Sequence, residues 1–478
     1  MSLPLLWMAI IELLESRELS RLRWILLLVA AVVLLPLAQL VPLPPSIWTL
    51  LPGRGVIEET YELLGGLPPA FSLTLSPRAT WLSMLGLVPP VAIFLGILTL
   101  GYEERRRLSL VLIAMGVVSV FLGLLQLAGG ANSVLRFYAI TNTTEAVGFF
   151  ANRNHFAALL YAAMPFAFCW LADASIAISQ QRRWTAADSR SVICFVSSVV
   201  SLIALLAGQL MARSRAGLIL SVVALLAGFA AGMGDRQMRI NKGRMRFLFA
   251  IVAVTVTFFS QFALLRILDR FGPDAVSDAR VAIVRNTISA ARAYMPFGSG
   301  IGTFVPAYQL FEKPTDVGVT YVNHAHNDFL ELWLEAGIPG LLLLMFFIVW
   351  LVCQTIGAWR IGEANRDRRI DCNLMKCAAV VLVLLLLHSL VDYPLRTAAM
   401  MAVVAFASAL LVPPIERAAR RGVDEMPNRG TRRRSEEVGR SRRTQTVTGK
   451  SDAHKVVPRR ELWGDAADWP PEWQNSKR

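Results

Sequence analysis

The densest group of chemically useful side chains is the hexapeptide Asn323–Asp328, which reads Asn-His-Ala-His-Asn-Asp. It holds two of the five histidines in the chain. Imidazole exchanges a proton near neutral pH, and a neighbouring amide or carboxylate can orient it, so the pattern suits general acid–base chemistry. Glu331 and Glu335 follow at helical spacing from Asn327 and are predicted to share one helix face.

Two other interpretations of this hexapeptide stay open. Polar side chains of this kind also anchor helix ends at a membrane interface. Alternate residues of a strand point to one face, so His324, His326 and Asp328 on a strand would form a metal site. The surrounding sequence has no other strand signal, and we expect neither a metal nor a cofactor.

Arginines form the second group. Arg213 and Arg215 flank Ser214 between two apolar blocks, where burial of a guanidinium is costly and a partner is expected. Arg280 and Arg285 belong to the longest polar stretch between apolar blocks. Guanidinium groups bind phosphate oxygens in a bidentate fork. Snorkelling of the side chains to the interface is the alternative.

Three weaker signals accompany these groups. Asn154-His155 opens an apolar block and would either line a path for sugar or lipid or anchor the helix. His388 and Asp392 are four residues apart and are predicted to pair on one helix face. The glycine-rich run Gly298–Gly302 resembles a phosphate loop but follows no strand, so we interpret it as a flexible turn after Pro296.

The elements that must position these residues are those of a membrane protein. Hydrophobic residues make up 55% of the 478 residues and charged residues 17%, against about a quarter charged in soluble chains. Apolar blocks of about 20 residues match a hydrocarbon core of about 30 Å. Because these blocks lack alternation, a barrel is excluded, and we predict an all-α polytopic membrane protein.

We predict about ten transmembrane helices and one large outer loop that contains short helices. The predicted spans are Trp24–Val41, Thr80–Leu100, Leu110–Leu127, Phe156–Ile176, Val192–Ala212, Leu218–Met233, Phe247–Leu265, Ile338–Trp359, Met375–Val391 and Ala398–Val412. The chain then divides into an N-terminus (1–23), helices one to seven (24–265), the large loop (266–337), helices eight to ten (338–412) and a basic, disordered tail (413–478).

Charge placement predicts the orientation. The net charge of +14 is concentrated in alternate loops and in the tail, as in a topology signal and not as in a nucleic-acid-binding surface. Both termini are therefore predicted to be cytoplasmic, with the large loop on the opposite side. The five cysteines have neither metal-ligand spacing nor positions in outer loops, so we expect no disulfide.

Several of these motifs resemble the O-antigen ligase family. His326-Asn327, nine intervening residues and Gly337-x-x-Gly340 are similar to its signature. Ser214–Gly217 is similar to its Ser-Arg-Gly/Ala stretch, and Arg280 to its loop arginine. Motifs similar to those of polymerase-like members are Gly148-Phe149-Phe150, Asn154-His155-Phe156 and His388-Ser389 with Asp392. The resemblance covers roughly residues 140–410.

The resemblance implies an integral glycosyltransferase of the bacterial inner membrane whose active site faces the periplasm. It would move or polymerise glycan repeats from undecaprenyl pyrophosphate onto an acceptor hydroxyl, without a metal and with inversion at the anomeric carbon. His326 would take the acceptor proton, while Arg215 and Arg280 would clamp the pyrophosphate. The residues expected to bind substrate are Arg213, His324, Asn327, Asp328, Glu331, Asn154, His155 and Arg285.

The expected partners follow from the same resemblance. The acceptor hydroxyl would belong to a second glycan repeat, to a lipid A core or to a protein. Membrane lipids and a chain-length regulator are further candidate partners, and nucleic acid is not. A lipid-linked oligosaccharide flippase or another polysaccharide transporter is the alternative function, and it would require charged residues near the middle of the bilayer at broken helices.

Overall fold

The computed structural model describes residues 2–16, 18–180, 186–233, 275–318, 321–361 and 369–415. All of them belong to one compact unit, Met1–Arg417. The predicted span Phe247–Leu265 and residues 416–478 of the predicted tail lie outside the described residues. In chain order the helices are α1 (Ser2–Glu15), α2 (Leu19–Leu40), α3 (Pro45–Trp48), α4 (Gly55–Leu63), α5 (Pro77–Leu98), α6 (Tyr102–Ala128), α7 (Arg153–Gln180), α8 (Ala186–Ala212), α9 (Arg215–Met233), α10 (Ala275–Ala293), α11 (Phe304–Gln309), α12 (Asp328–Ile361), α13 (Arg369–His388) and α14 (Ala398–Leu410).

The all-α polytopic architecture is confirmed. Within the described ranges, seven helices are long and apolar enough to cross a membrane: α2, α5, α6, α7, α8, α12 and α13. The apolar parts of α9 and α14 are shorter than 18 residues. Nine of the ten predicted spans thus correspond to apolar helices, and a count of ten stays a prediction.

Helix α7 is the central helix of the unit. It packs against α8, α9 and α13, and its side chains from Phe156 to Met164 are almost entirely buried. Small residues allow the close approach: a Cβ atom on Gly217 of α9 would lie 2.5 Å from the Cβ of Ala157. Membrane helices associate through such close contacts because lipid offers no hydrophobic driving force.

One end of the bundle is joined by arginines. Arg106 of α6 pairs with Asp371 of α13 at 2.6 Å, and Arg369 pairs with Asp173 of α7 at 2.7 Å. Arg105 is buried and donates to backbone carbonyls at the ends of α5 and α14. These contacts gather segments that the charge pattern assigns to the cytoplasm.

The opposite end carries the polar segments between helices. Two short antiparallel strands, β1 (Pro42–Leu43) and β2 (Phe71–Ser72), pair Pro42 with Ser72 and enclose α3 and α4. The described part of the large loop holds α10, α11 and a short 3-10 turn, as predicted, and α12 already begins within it at Asp328.

A kink at Gly337 divides α12 into two segments, 328–336 and 338–361. Gly337 adopts φ 56° and ψ −145°, a conformation that is essentially restricted to glycine. The amide of Ile338 donates to the carbonyl of Pro296 at 2.8 Å, and a Cβ on Gly337 would lie 2.2 Å from that oxygen. The predicted helix start at this position is therefore a break that separates a polar segment from the apolar span.

Candidate functional site

The hexapeptide Asn323–Asp328 is fixed by backbone contacts at its C-terminal end. The side-chain oxygen of Asn327 accepts from the amides of Phe329 and Leu330, each at 3.0 Å, and so caps the start of α12. Its side-chain nitrogen donates to the carbonyl of Leu390 at 2.9 Å. These contacts give Asn327, which was expected to bind substrate, a structural role in holding the segment.

His326 forms a pair with Asp392. Its Nδ1 lies 3.2 Å from Oδ1 of Asp392, and its backbone has φ 52°, a left-handed conformation that is uncommon outside glycine. The imidazole side chain is 28% exposed, whereas the carboxylate is 1% exposed. A solvent-facing imidazole is thus oriented from behind by a buried acid.

The ionisation of Asp392 fixes the tautomer of this histidine. Burial raises the pKa of Asp392, but the hydrogen bond from His326 and the nearby charges of His155, His388 and His326 outweigh it and lower the pKa to about 2. An ionised carboxylate only accepts hydrogen bonds. In neutral His326 the hydrogen is therefore on Nδ1, and Nε2 carries a lone pair.

A second histidine–carboxylate pair lies beside the first. The Nδ1 of His324 lies 2.9 Å from Oε1 of Glu331, whose Oε2 accepts from the amide of Ala325 at 3.0 Å. The side chain of His324 is 29% exposed and that of Glu331 is 1% exposed. Glu331, predicted to bind substrate, is thus a buried partner of His324.

The ring of Tyr393 contacts three imidazoles. Its centroid lies 4.2 Å from that of His324 in a stacked arrangement. The rings of His326 and His155 meet it edge-on, at 5.1 Å and 4.9 Å. Burial raises the pKa of Tyr393, so the phenol stays protonated. This tyrosine holds together histidines that come from two distant parts of the chain.

Arg396 joins the carboxylates behind these rings. Its guanidinium lies 2.7 Å from Glu335, 3.4 Å from Glu331 and 3.6 Å from Asp328. Burial alone would lower the pKa of Arg396, but the three carboxylates raise it above its ordinary value. The other oxygen of Asp328 accepts from Ser389 at 2.7 Å, so Asp328 also supports the site from within and does not line its surface.

The glycine-rich run Gly298–Gly302 is held in place, so its interpretation as a flexible turn is wrong. Oε1 of Glu335 accepts from the amides of Gly302 and Phe304 at 3.0 Å and 3.1 Å. Gln39, at the end of α2, accepts from the amide of Ile301 at 2.8 Å and donates to the carbonyl of Glu335 at 3.0 Å. The amide of Gly302 in this run and that of Phe304 just after it thus bind a carboxylate of the same chain, and the amides of Ser299 and Gly300 bind backbone carbonyls of α12.

Arg213 and Arg215 lie exposed at the turn between α8 and α9, and Arg213 has φ 52°. This turn lies beside the start of α7, because Gln209 donates to the carbonyl of Ala157 at 2.8 Å. His155, two residues earlier in α7, contacts Tyr393. The two arginines therefore share the end of the bundle with the histidines, as does Asn154, next to His155.

The loop arginines lie on α10. Arg280 and Arg285 are both exposed, and Arg285 pairs with Asp316 at 2.9 Å. Asp316 also accepts from Asn286, and this hydrogen bond is the largest contribution that lowers the pKa of its carboxyl. Arg285 thus already has an acidic partner within the loop, whereas Arg280 makes no described contact with His326.

The predicted pair of His388 and Asp392 does not form between side chains. Helix α13 ends at His388, so the two residues do not share a helix face, and Nδ1 of His388 lies 3.0 Å from the hydroxyl of Tyr161. Asp392 is therefore available to His326.

The sequence analysis did not find the role of Asp392 as the partner of His326, or the roles of Tyr393 and Arg396. The polar run after α13, between two apolar blocks, was the signal that could have found them.

The strand geometry considered for a metal site is not formed either. The side chains of His324, His326 and Asp328 turn to different partners: Glu331, Asp392 and Ser389. Within the part of the chain that the structure describes, no group of three or more His, Cys, Asp or Glu side chains is arranged to hold a metal ion.

A comparison with known protein families finds a match to part of this chain. The family model described as O-antigen ligase matches residues 189–345, a segment that contains Arg215, Arg280, His324 and His326 but ends before Asp392. No curated protein matches the chain. The chain is thus a polytopic membrane protein whose residues 189–345 match the O-antigen ligase family model, and this match supports the resemblance in its motifs.

Proposed function

We propose that this chain is a glycosyltransferase of the bacterial inner membrane that moves or polymerises glycan repeats from undecaprenyl-pyrophosphate donors onto an acceptor hydroxyl. The observation that carries the proposal is the pair of His326 and Asp392. A buried carboxylate orients a partly exposed imidazole at the end of the bundle opposite the arginine-rich end. The family match over residues 189–345 supports the reaction class.

The pair suits the proton transfer that such a reaction requires. The acceptor oxygen attacks the anomeric carbon while the bond from that carbon to the pyrophosphate oxygen breaks, and its electron pair leaves with the pyrophosphate. The acceptor proton passes to Nε2 of His326, and Asp392 stabilises the imidazolium that forms. A single displacement of this kind inverts the anomeric carbon.

Guanidinium groups supply the positive charge that the leaving pyrophosphate needs. In this proposal Arg215 and Arg280 bind its oxygens, with Arg213 nearby, and no metal takes part. All three side chains are exposed in the described structure, as binding of a lipid-linked donor requires. Arg285 is less suited to bind the pyrophosphate oxygens, because it already pairs with Asp316. His155 and Asn154 would border the same region from the start of α7.

The proposal predicts which side of the membrane holds the site. The hexapeptide Asn323–Asp328 and the loop that precedes it would face the periplasm, where the glycan end of a flipped lipid-linked donor is found. Both termini would then be cytoplasmic. The membrane lipid that carries the donor would reach the site from the surrounding bilayer.

A transfer assay with the purified full-length protein tests the proposal. Lipid-linked repeats extracted from the host serve as donor, and release of undecaprenyl pyrophosphate together with glycan transfer is measured. We expect His326→Ala, Arg215→Ala and Arg280→Ala each to lower the transfer rate by about a hundredfold or more. Arg292→Ala, an exposed arginine on the same helix as Arg280, is the matched control and should leave the rate unchanged. Wild-type rates in the three folded variants would refute the mechanism.

A deletion strain separates the activities within the family. Short, unpolymerised repeats in the deletion strain indicate a polymerase, whereas free polymer on the lipid carrier indicates a ligase. Unmodified target protein with normal surface glycan indicates a protein O-glycosyltransferase. Retention of the lipid-linked donor on the cytoplasmic face would instead indicate a flippase and contradict the proposal.

A further inference from the structure

The site contains two histidine–carboxylate pairs of the same design. His324 and His326 are separated by one residue, and each uses Nδ1 to reach a carboxylate that is 1% exposed. Their side chains are nearly equally exposed, at 29% and 28%. Both rings rest on Tyr393, one stacked and one edge-on. A transfer reaction needs only one base, which is His326 in the proposed function. The pair of His324 and Glu331 therefore needs a separate explanation.

The second pair also leaves a lone pair on Nε2 of a partly exposed imidazole. Oε2 of Glu331 accepts from the amide of Ala325, and its Oε1 faces the guanidinium of Arg396 at 3.4 Å. A carboxylate in contact with these donors acts as an acceptor, so the hydrogen between Glu331 and His324 belongs to Nδ1 of the imidazole. The Nε2 atom of His324 is then a hydrogen-bond acceptor, like that of His326.

The two carboxylates differ in what else they contact. Glu331 shares its negative charge with Arg396, whereas the described contacts of Asp392 with positively charged groups are with histidines alone. An imidazolium at His324 would therefore gain less from its partner than one at His326. The asymmetry suits His326 to proton transfer and His324 to hydrogen bonding without proton transfer.

We propose that His324 accepts a hydrogen bond from a second hydroxyl of the acceptor, next to the hydroxyl that reacts at His326. The proposal rests on the proposed function and narrows its acceptor to a sugar. A sugar ring presents neighbouring hydroxyls at a fixed separation, and two imidazoles braced by Tyr393 present two lone pairs on one rigid support. The isolated hydroxyl of a serine or threonine side chain would use only one of them.

An acceptor series tests this inference. The donor is the lipid-linked repeat extracted from the host, and the acceptors are methyl hexopyranosides, each monodeoxy analogue of these, and N-acetylserine methylamide. For wild type we expect one deoxy analogue that keeps the reacting hydroxyl to lose about tenfold in kcat/KM, mainly through KM, which corresponds to one hydrogen bond of about 1.4 kcal/mol. The serine compound should be poorer still.

Variants assign that loss to His324. We expect His324→Ala to lower kcat/KM for the parent glycoside to the level of that deoxy analogue while transfer to the deoxy analogue itself is unchanged. His324→Gln, which offers a carbonyl oxygen, should restore part of the preference. His454→Ala, at a histidine outside the described residues, is the control. Thermal unfolding of each variant identifies those that do not fold.

The outcomes separate this inference from the proposed function. Wild-type transfer that is equal for the parent and for every deoxy acceptor that keeps the reacting hydroxyl refutes the role of His324 and leaves the transferase proposal standing. The same holds if His324→Ala slows parent and deoxy acceptors by the same factor, because that result indicates a structural role. Failure of wild type to transfer to any acceptor, including the endogenous lipid-linked repeat, refutes both.

Discussion

Nη1 of Arg396 lies 2.7 Å from Oε2 of Glu335, and this contact joins the turn after α13 to the polar segment of α12. Glu335 is almost fully buried and holds the amides of Gly302 and Phe304 with its other oxygen. The ion pair of Arg396 and Glu335 therefore connects three parts of the chain. These are the glycine-rich run Gly298–Gly302, the polar segment of α12 that carries Glu331, and the turn that precedes α14.

Loss of the guanidinium should destabilise the protein strongly. Arg396→Met leaves Glu335, Glu331 and Asp328 without their shared cation, and removal of one partner of a buried ion pair costs about 3–5 kcal/mol. Thermal or denaturant unfolding in detergent micelles measures the change. Arg285→Met removes an arginine from an exposed pair and should cost less than about 1 kcal/mol. Equal losses of unfolding free energy in the two variants would contradict the role of Arg396 as the shared cation of the three carboxylates.

Acid should weaken the protein through Asp392. Its pKa is lowered from 3.8 to about 2 in the folded state, so its contribution to the free energy of unfolding is present above about pH 4 and is lost as the pH falls through about 2. The shift corresponds to about 2 kcal/mol. We expect wild type to exceed Asp392→Asn in unfolding free energy at pH 6 and the difference to shrink between pH 4 and pH 2. A difference that stays constant over this range would contradict the assignment.

The kink at Gly337 should tolerate no side chain. Gly337→Ala places a Cβ against the carbonyl of Pro296 in a backbone conformation that alanine avoids, and we expect a loss of at least about 2 kcal/mol together with loss of transfer. The matched control is Gly357→Ala in the same helix, where a Cβ meets nothing within 4 Å. Alanine favours a helix over glycine, so this control should be neutral or more stable by up to about 1 kcal/mol.

Accessibility of single cysteines should reveal the orientation. Leu67 lies on the site end of the bundle and is 94% exposed, and Arg107 lies on the arginine-rich end and is 72% exposed at its side chain. In a variant without the five native cysteines, a membrane-impermeant thiol reagent should label Leu67→Cys in intact spheroplasts. It should label Arg107→Cys only after the membrane is opened. The reverse pattern would place the site in the cytoplasm.

The parts of the fold that depend on neighbouring residues were predictable from sequence. Apolar blocks predicted the helices, and helical spacing placed Glu331 and Glu335 on one face, where both meet Arg396. The predicted start of the apolar span at Ile338 coincides with the kink at Gly337, although the sequence did not predict the polar helical segment before it. In each case the physical cause lies within a few residues. The histidine-rich hexapeptide stood out for the same reason.

The parts that depend on distant residues were not predictable. Asp392 is 66 residues from His326, and Gln39 is 296 residues from Glu335, so no local pattern links them. The spacing of His388 and Asp392 favoured a pair, but α13 ends at His388, and Asp392 contacts His326 in the segment that precedes α12. The roles of Arg215 on α9 and Arg280 on α10 in donor binding stay predictions, which the transfer assay tests.

The contact of Glu335 with Gly302 and Phe304 has a consequence for inorganic anions. Backbone amides at a helix start attract phosphate or sulfate from solution, but here the chain supplies its own resident anion, tethered and already neutralised by Arg396. Added phosphate or sulfate should therefore not bind at this loop. In the proposed function the diphosphate of the lipid carrier would instead bind the exposed Arg215 and Arg280, where buffer anions would compete with it.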